Sequence, residues 1–259
     1  MDLQIAGKWA IVGASSRGLG LGCAQALAQA GCNLVINGRD TAKLDEAAAE
    51  LKALGAPSVA IVAQDISTAQ GQEALFAACP NPDILVTNNG GPPMKPFTDI
   101  DREAVLAGVV QNMVTPIELI HRALPGMQER SFGRIINITS SSVLAPIPGL
   151  DVSSGARAGL TAFVAGVAKN AAQHNVTINN ILPGKMDTDR LRSNLVAQAK
   201  RMDKSVDDTS AGIIAAIPAK RFGTAEEFGA ACAFLCSGHA GYITGQNLLM
   251  DGGLLGRAF

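Results

Sequence analysis

Short apolar runs recur along the whole chain, and each is bounded by Gly, Asn or Asp. In order they are WAIVGA, NLVIN, SVAIVAQD, DILVTNN, GRIINITSS, TINNILPG and QNLLMDGG. Continuous apolar runs of this length are typical of strands that are buried on both faces. Segments with helical spacing, such as residues 19–29, 42–54 and 160–173, separate most of them. Helical connections make the strands parallel, so the pattern predicts an α/β fold: a Rossmann-type, doubly wound parallel sheet of about seven strands with helices on both faces.

The length of the chain and the continuity of this pattern predict one domain. The 259 residues are within the range of a single large α/β domain, and no Pro- or Ser-rich linker or low-complexity segment divides residues 1–259. The polar stretch at about residues 186–222 is the exception, because it mixes charges and carries few strand signals. We predict that it forms a helical flap over the C-terminal ends of the strands, where ligands bind in this architecture.

Charge and cysteine usage argue against several classes of partner. The formal net charge of −1 gives no reason to expect a nucleic acid or a membrane surface as partner. No stretch is expected to be long and apolar enough to span a bilayer, and the N-terminus lacks the basic segment of a secretory signal. The five cysteines lack C-x-x-C spacing and a suitably spaced His, which predicts core residues rather than a metal site. These features favour a protein of the reducing cytoplasm with a small-molecule partner.

A glycine-rich turn follows the first apolar run. In GASSRGLG, Gly13, Gly18 and Gly20 lie between the first predicted strand and a helix. Glycines there permit a tight turn and close backbone approach, and free N–H groups at the helix N-terminus favour a pyrophosphate. This strand–turn–helix context predicts a dinucleotide site, although a glycine triplet by itself also fits a merely structural turn.

The end of the second predicted strand indicates which dinucleotide binds. NLVINGRD ends in Asn37, Gly38 and Arg39, with no acidic residue where one would hold the ribose 2′-hydroxyl of NAD. Arg39 and Arg17, the latter from the glycine turn, are suited to pair with a 2′-phosphate. The alternative is that both arginines are solvated surface residues. The pattern favours NADP(H), with NAD the less favoured cofactor.

Taken in order, the motifs resemble those of the short-chain dehydrogenase/reductase family over essentially the whole chain. They are the glycine-rich turn, AQDIS, DILVTNNGG, Asn112, GRIINITSS, NNILPGKMDT and YITGQNLLMDGG. The resemblance implies that Asp65 contacts the adenine and that Thr188 contacts the nicotinamide carboxamide. The full set of implied cofactor contacts is Gly13, Ser15, Ser16, Arg17, Gly18, Leu19, Gly20, Arg39, Asp65, Ile66, Asn88, Asn89, Gly90, Arg157, Pro183, Gly184 and Thr188.

Four positions correspond to the family's catalytic Asn, Ser, Tyr and Lys. Asn112 and Ser140 match the first two, with the neighbouring Thr139 and Ser141 as less favoured alternatives to Ser140. Counting onward from Ser140 puts Ser153 and Arg157 at the Tyr and Lys positions. This S-x-x-x-R pattern resembles a divergent subgroup of the family. In the family the phenol donates a proton to the carbonyl oxygen as the hydride arrives. Arg157 keeps the positive charge but is no ordinary proton donor, and Ser153 is shorter than Tyr and a far weaker acid.

Three groups are candidates for the missing proton donor. A water held by Ser153 and Arg157 could relay a proton from solvent. Asp151 could act as the acid if it were buried, and Lys185 could reach over the nicotinamide. The simpler alternatives are that Asp151 is a solvated loop residue or a helix N-cap and that Lys185 is a plain loop residue.

The resemblance implies an NADP(H)-dependent oxidoreductase that reduces a carbonyl or oxidises the corresponding alcohol. Its catalytic residues would be Asn112, Ser140, Ser153 and Arg157. The alternative is a catalytically impaired nucleotide-binding relative that serves as a regulatory or partner subunit. The replaced Tyr and Lys favour this alternative, whereas the retained Asn112 and Ser140 favour the enzyme.

The substrate and the assembly are less constrained. Acidic and basic residues alternate in the 186–222 segment, so the sequence indicates no charged substrate. The resemblance implies a homo-oligomer, a dimer or tetramer, with the apolar tail GGLLGRAF buried between subunits. An apolar, medium-sized carbonyl or alcohol substrate is predicted, in a pocket walled by the flap and by Pro92, Pro93, Met94, Leu144, Ile147 and Leu150.

Overall fold

Seven parallel strands form one sheet in the computed structural model, which describes residues 1–256. They are β1 (Trp9–Val12), β2 (Asn33–Gly38), β3 (Val59–Ala63), β4 (Ile84–Thr87), β5 (Gly133–Ile138), β6 (Val176–Pro183) and β7 (Asn247–Met250). Their order in the sheet is β3-β2-β1-β4-β5-β6-β7, and every neighbouring pair is parallel. This confirms the predicted doubly wound sheet.

Helices cover both faces of the sheet. The first core contains apolar side chains of α1, α2 and α9, and the second contains those of α3, α5 and α6. All five cysteines are buried and free, which confirms the prediction that they are core residues. The α-helices of the described residues are α1 (Gly18–Gln29), α2 (Thr41–Ala53), α3 (Ala69–Ala78), α4 (Arg102–Val109), α5 (Thr115–Glu129), α6 (Asp151–Ala171), α7 (Asp189–Met202), α8 (Val206–Ala216) and α9 (Ala225–Cys236).

Helix α6 begins earlier than its sequence pattern indicates. The helical spacing predicts a start near residue 160, whereas the helix begins at Asp151. Its first turns contain Gly155 and Gly159, which have low helix propensity, so the apolar stripe is weak there. Asp151 is neither a loop residue nor the N-cap: it is the first helical residue, it is exposed, and Leu150 is the N-cap. Ser153 and Arg157 consequently lie one helical turn apart on α6.

The segment at 186–222 contains α7 and α8. It returns to the body of the protein through a parallel bridge between Met186 and Gly223. At the start of α7, Arg190 Nη2 donates to Pro92 O at 3.2 Å, and Arg17 pairs with Asp189 at 3.6 Å. The first turn of α7 therefore lies beside the loops that follow β4 and β1, at the C-terminal edge of the sheet.

One segment differs from the expectation that no stretch of the chain is long and apolar enough to cross a bilayer. Helices α4 and α5 are continuous through a π-helical turn at Val110–Val114, and the joined helix passes that test of length and composition. Its inner side packs in the second core through Leu119, Ile120, Ala123 and Met127. A helix that packs in the core of an α/β domain passes the same test.

Candidate active site

The turn between β1 and α1 is shaped for close approach of a ligand to the backbone. A Cβ on Gly13 would lie 2.5 Å from Asn88 O, so only glycine fits there. Gly18 has φ +59°, and the same left-handed region is occupied by Ala14 at φ +43°, a residue that the sequence did not single out. Arg17 occupies the N-cap of α1 without a side-chain cap bond, which leaves the first amides of the helix available to an anion.

Buried polar side chains fix this turn against the neighbouring strands. Ser15 is fully buried; its hydroxyl donates to Val12 O at 2.7 Å and accepts from Asn37 N at 3.0 Å. Asn37 in turn donates to the carbonyls of Val62 and Gln64, both at 2.9 Å. Ser15, one of the predicted cofactor contacts, is therefore a structural support in this conformation, together with Asn37. Ser16 lies over the end of β2, 3.2 Å from where a Cβ on Gly38 would be, while Leu19 is partly buried against the first core.

Two exposed arginines lie at the edge of the turn where a 2′-phosphate is expected, and one of them, Arg17, pairs with Asp189 at 3.6 Å. Arg39 is exposed directly after β2, and Arg17 is exposed beside it in the sheet order. Asp65, which follows β3, accepts from the Ser67 hydroxyl and amide at 2.5 Å and 2.9 Å. These bonds, followed by the charge of Arg39, lower the pKa of Asp65. Ile66 is buried, and its Cδ1 is 3.2 Å from where a Cβ on Gly13 would be.

The loop after β4 joins the glycine turn to the helix that carries Asn112. Asn88 Nδ2 donates to Ala14 O at 3.3 Å, and Asn89 Nδ2 donates to Gln111 O at 3.3 Å. Asn112 lies in the π-helical turn, and its Nδ2 is 3.4 Å from Gly90 O and from Gly108 O. Its Oδ1 is buried without a partner among the described residues. A buried acceptor in this state indicates a place for a bound donor group.

Of the neighbouring hydroxyls after β5, that of Thr139 is turned to the backbone, whereas those of Ser140 and Ser141 are on partly exposed residues. Thr139 is buried with its hydroxyl 3.4 Å from Ile181 O. Ser140 accepts from the amide and hydroxyl of Ser142 at 3.1 Å and 2.9 Å and remains partly exposed. Its own proton has no acceptor in residues 1–256, so the hydroxyl can donate to an incoming oxygen.

Arg157 and Ser153 are hydrogen-bonded to one another. Arg157 Nε donates to Ser153 Oγ at 3.2 Å, and Arg157 Nη1 donates to Ile138 O at 2.6 Å, at the C-terminal end of β5. The two side chains are buried, with residue exposures of 9% and 5%. Burial, followed by the charge of Arg190, lowers the pKa of Arg157 to about 10. The group remains a cation at neutral pH.

Lys185 is the third candidate donor, and its surroundings differ from those of Asp151. Lys185 follows Pro183 and Gly184 at the end of β6 and is partly buried, which lowers its pKa. Gly184 N donates to Met250 O at 2.8 Å and ties this turn to β7. Thr188, two residues before Arg190, accepts from Leu191 N at 3.4 Å and caps α7. Asp151 is exposed on α6 and lacks the burial that an acid role requires.

A cavity of about 220 Å³ opens beside this cluster. Of the predicted wall, Pro92, Pro93 and Leu150 line it, whereas Met94, Leu144 and Ile147 do not. The opposite wall is a face of α4, which sequence reasoning missed because α4 was not recognised as a separate element. The cavity's other lining residues are Lys95, Ile100, Ala104, Ala107, Gly108, Gln111, Gly149, Val152 and Ser153.

Comparison with known proteins gives matches that extend over nearly the whole chain. The family described as Enoyl-(Acyl carrier protein) reductase matches residues 13–255. The chain is 32% identical to the NADPH-dependent reductase BacG of Bacillus subtilis, over 95% of this chain and 97% of BacG. Among solved structures it resembles YwfH, an NADPH-dependent reductase involved in bacilysin biosynthesis, at 31% identity and a TM-score of 0.91, covering 97% of this chain and 100% of YwfH. It also resembles L-sorbose reductase from Gluconobacter frateurii in complex with NADPH, at 28% identity and a TM-score of 0.92, covering 99% of this chain and 100% of the reductase.

Proposed function

The chain belongs to the short-chain dehydrogenase/reductase family, and from that premise we propose that it is an NADP(H)-dependent oxidoreductase that reduces a carbonyl or oxidises the corresponding alcohol. One observation carries the proposal. The donor hydroxyl of Ser140, the unsatisfied amide oxygen of Asn112 and the buried cation of Arg157 lie at the C-terminal ends of adjacent parallel strands or on the helices beside them. Ligands bind at that edge in doubly wound sheets.

The residues around the glycine turn fit a dinucleotide. Gly13 permits close backbone approach, the first amides of α1 are uncapped, and Arg17 and Arg39 provide charge for a 2′-phosphate. Further predicted contacts follow the C-terminal ends of other strands: Asp65 follows β3, Asn88 to Gly90 follow β4, and Thr188 follows β6. The names of BacG and L-sorbose reductase, which include NADPH, support the choice of NADP(H). When bound, the nicotinamide supplies a hydride to the substrate carbon or accepts one from it.

Ser140 and Arg157 stabilise the oxygen of the reacting group. The Ser140 hydroxyl donates a hydrogen bond to the carbonyl oxygen, and Arg157 contributes positive potential as negative charge develops there. Because the backbone carbonyl of Ile138 and the hydroxyl of Ser153 hold the guanidinium, its position is fixed before substrate arrives. Asn112 holds a donor group through its Oδ1.

We infer that Ser153 and Arg157 take the positions of the family's Tyr and Lys, and that a water relays the proton. Arg157 keeps its proton at neutral pH, since its pKa is about 10. Ser153 Oγ accepts a bond from Arg157, so its own proton can point to a water in the adjoining cavity. Loss of a direct general acid costs on the order of 10²–10⁴ in rate, which slows turnover without abolishing it.

A second reading, a nucleotide-binding subunit without turnover, is favoured by one contact. Arg157 is engaged with a backbone carbonyl of β5, an arrangement that would also suit a purely structural cation. We also propose that the chain forms a homo-oligomer, because apolar side chains are exposed on α4, in the π-helical turn that follows it and on α6.

The test begins with NADPH and NADH affinities, measured by calorimetry. Arg17 and Arg39 should make NADPH the tighter ligand by on the order of tenfold or more. A carbonyl panel is then followed at the nicotinamide absorbance. Ser140→Ala should lower kcat on any reduced carbonyl by about 10²-fold or more, with Ser141→Ala as the matched control that retains activity. Equal affinities for the two cofactors contradict the NADP(H) assignment, and NADPH binding without turnover of any carbonyl favours the subunit reading.

A further inference from the structure

Three cationic residues lie at the C-terminal ends of β5 and β6 or on the first turn of α7, and none has an acidic partner among the described residues. Arg157 is anchored at the end of β5, and Lys185 follows the end of β6. Arg190, on the first turn of α7, reaches back to the loop after β4, where its Nη2 donates to Pro92 O at 3.2 Å. Within residues 1–256, none of the three forms an ion pair.

The sheet order shows why these groups share one space. Strands β4, β5 and β6 are consecutive neighbours, so a side chain that runs from the β6 loop to the β4 loop passes the end of β5. Arg190 follows this path: a Cβ on Gly91 would lie 2.5 Å from its Nη1 and 2.7 Å from its Nη2. Its charge also contributes to the lowered pKa of Arg157, as expected if the two guanidinium groups are near one another.

The acidic residues of the same segment are already occupied. Asp187 pairs with Arg192 at 3.0 Å, and Asp189 pairs with Arg17 at 3.6 Å and with Arg192 at 3.9 Å. Asp251, packed against Gly184, accepts from the amides of Gly253 and Leu255. The alternating charges of this segment therefore do not cancel at the site. The cations near the reacting end have no carboxylate of this chain in the described residues to neutralise them.

The apolar cavity lies directly beside the cationic groups. Pro92, whose carbonyl binds Arg190, lines it, and so does Ser153, whose hydroxyl binds Arg157. No Asp or Glu is among the described residues that line it. A ligand with an apolar body and one anionic group matches this combination, because a guanidinium binds a planar carboxylate through two parallel hydrogen bonds.

We propose that the substrate is an oxo acid or hydroxy acid whose carboxylate binds Arg190, with Lys185 adding to the positive potential. The proposal rests on the proposed function, because it names the substrate class of the same site. The carboxylate would lie at the rim formed by α7 and the β4 loop, and the carbonyl to be reduced would lie toward Ser140 and Arg157. Arg190 is a specificity-determining residue in this arrangement.

The test measures binding, so it does not depend on turnover. The probes are 4-methyl-2-oxopentanoate, 3-oxohexanoate and 4-oxopentanoate, each paired with its neutral methyl ester, titrated by calorimetry into the protein saturated with NADP⁺. The variants are Arg190→Gln, Arg190→Lys and, as the matched control, Arg192→Gln. Arg192 is on the same helix, carries the same charge and is exposed like Arg190, but it is paired with Asp187 and Asp189.

We expect at least one acid to bind about tenfold or more tightly than its ester. Arg190→Gln should remove that preference, Arg190→Lys should retain part of it, and Arg192→Gln should leave it unchanged. The affinity for NADP⁺ should stay within about twofold in all variants. The proposal is overturned if none of the acids binds, if acid and ester bind equally, or if Arg192→Gln has the same effect as Arg190→Gln.

Three further outcomes distinguish failure of the carboxylate site from failure of the oxidoreductase function. If Arg190→Gln weakens NADP⁺ as much as it weakens the acid, the cation serves the cofactor phosphates and the proposal fails. If acids bind preferentially but no carbonyl is ever reduced, the carboxylate site stands and the oxidoreductase function fails. If neutral ketones are reduced as well as the acids and acid preference is absent, the function stands and the carboxylate site fails.

Discussion

Arg157 is the residue whose surroundings most restrict the chemistry. Its contacts are neutral, with Ser153 Oγ and Ile138 O, and it is 9% exposed. Burial disfavours the charged form, so the pKa falls to about 10, yet the group still carries its proton throughout the neutral range. An effect that requires this charge should persist up to about pH 10 and decline as the pH rises through that value. At neutral pH the residue acts through its field and its hydrogen bonds.

The substitutions Ser153→Ala and Arg157→Gln should therefore lower kcat by different factors. Removal of the Ser153 hydroxyl should lower kcat by about tenfold or less, since it only positions a water. Arg157→Gln should lower kcat by about 10²-fold and weaken NADPH binding as well, because both the charge and the cofactor contact that the resemblance implies for Arg157 are lost. Steady-state rates on one reducible ketone, together with NADPH affinities from calorimetry, compare the variants.

Ser154→Ala is the control, since its hydroxyl donates to the carbonyl oxygen of Leu150, the N-cap of α6, and Ser154 is not among the residues that line the cavity. The double variant Ser153→Tyr, Arg157→Lys should raise the rate of carbonyl reduction, because position 153 borders a cavity that can receive a phenol. If Ser153→Ala abolishes turnover while NADPH affinity is kept, the serine itself is the acid and the water relay is wrong.

At the scale of elements, the sequence was informative wherever burial is continuous. Each apolar run became a strand because a parallel strand covered on both faces cannot alternate. The start of α6 was hidden by Gly155 and Gly159, and the π-helical turn that carries Asn112 has no local sequence signature. Ala14 has a left-handed φ, a conformation that usually favours glycine, so its residue type gave no sign of its place in the turn. Asn112 and Ser140 were found by resemblance, whereas Arg190 depends on a contact between loops far apart in sequence.

A capping box stabilises the first turn of helix α9. Thr224 Oγ1 accepts from Glu227 N at 3.2 Å, and Glu227 Oε2 accepts from Thr224 N at 2.9 Å. Thr224→Ala should lower the free energy of unfolding by about 1 kcal/mol, whereas Thr224→Ser should keep most of it. Urea denaturation at pH 7 measures both. An equal loss in the two variants would show that the methyl group rather than the hydroxyl matters.

The same cap predicts a pH dependence. Hydrogen bonds from Arg221 and from the Thr224 amide lower the pKa of Glu227 to about 2, from an ordinary value of 4.5. A carboxylate with a lowered folded-state pKa stabilises the protein above its ordinary pKa, and this contribution is lost as the pH falls through the folded value. The stability difference between the parent and Glu227→Gln should therefore be present at pH 7 and shrink between about pH 4.5 and 2.

At the scale of the whole molecule, one group of exposed apolar side chains is not covered by any part of residues 1–256. Val105 and Leu106 on α4, Val110 and Val114 in the π-helical turn, and Phe163 on α6 are between 36% and 51% exposed. These elements pack beside one another, and the same helix passes the length and composition test for a membrane span. Monomeric soluble proteins rarely leave a contiguous patch of this kind in water. The predicted burial of the C-terminal tail GGLLGRAF between subunits stays a prediction. Leu254 of this tail is 41% exposed, and residues 257–259 lie outside the described residues.

We expect the chain to form a dimer or a larger homo-oligomer through this surface. Light scattering at micromolar concentration should give at least twice the monomer mass of 26.6 kDa. The double variant Leu106→Glu, Phe163→Glu should shift the mass to that of a monomer, because it places charges in the contact. Met202→Glu, which changes an exposed apolar residue at the end of α7, should leave the mass unchanged. A monomeric parent protein, or an equal shift in Met202→Glu, would contradict this interface. Because α4 also forms one wall of the cavity, dissociation should loosen that wall and raise KM more than it lowers kcat.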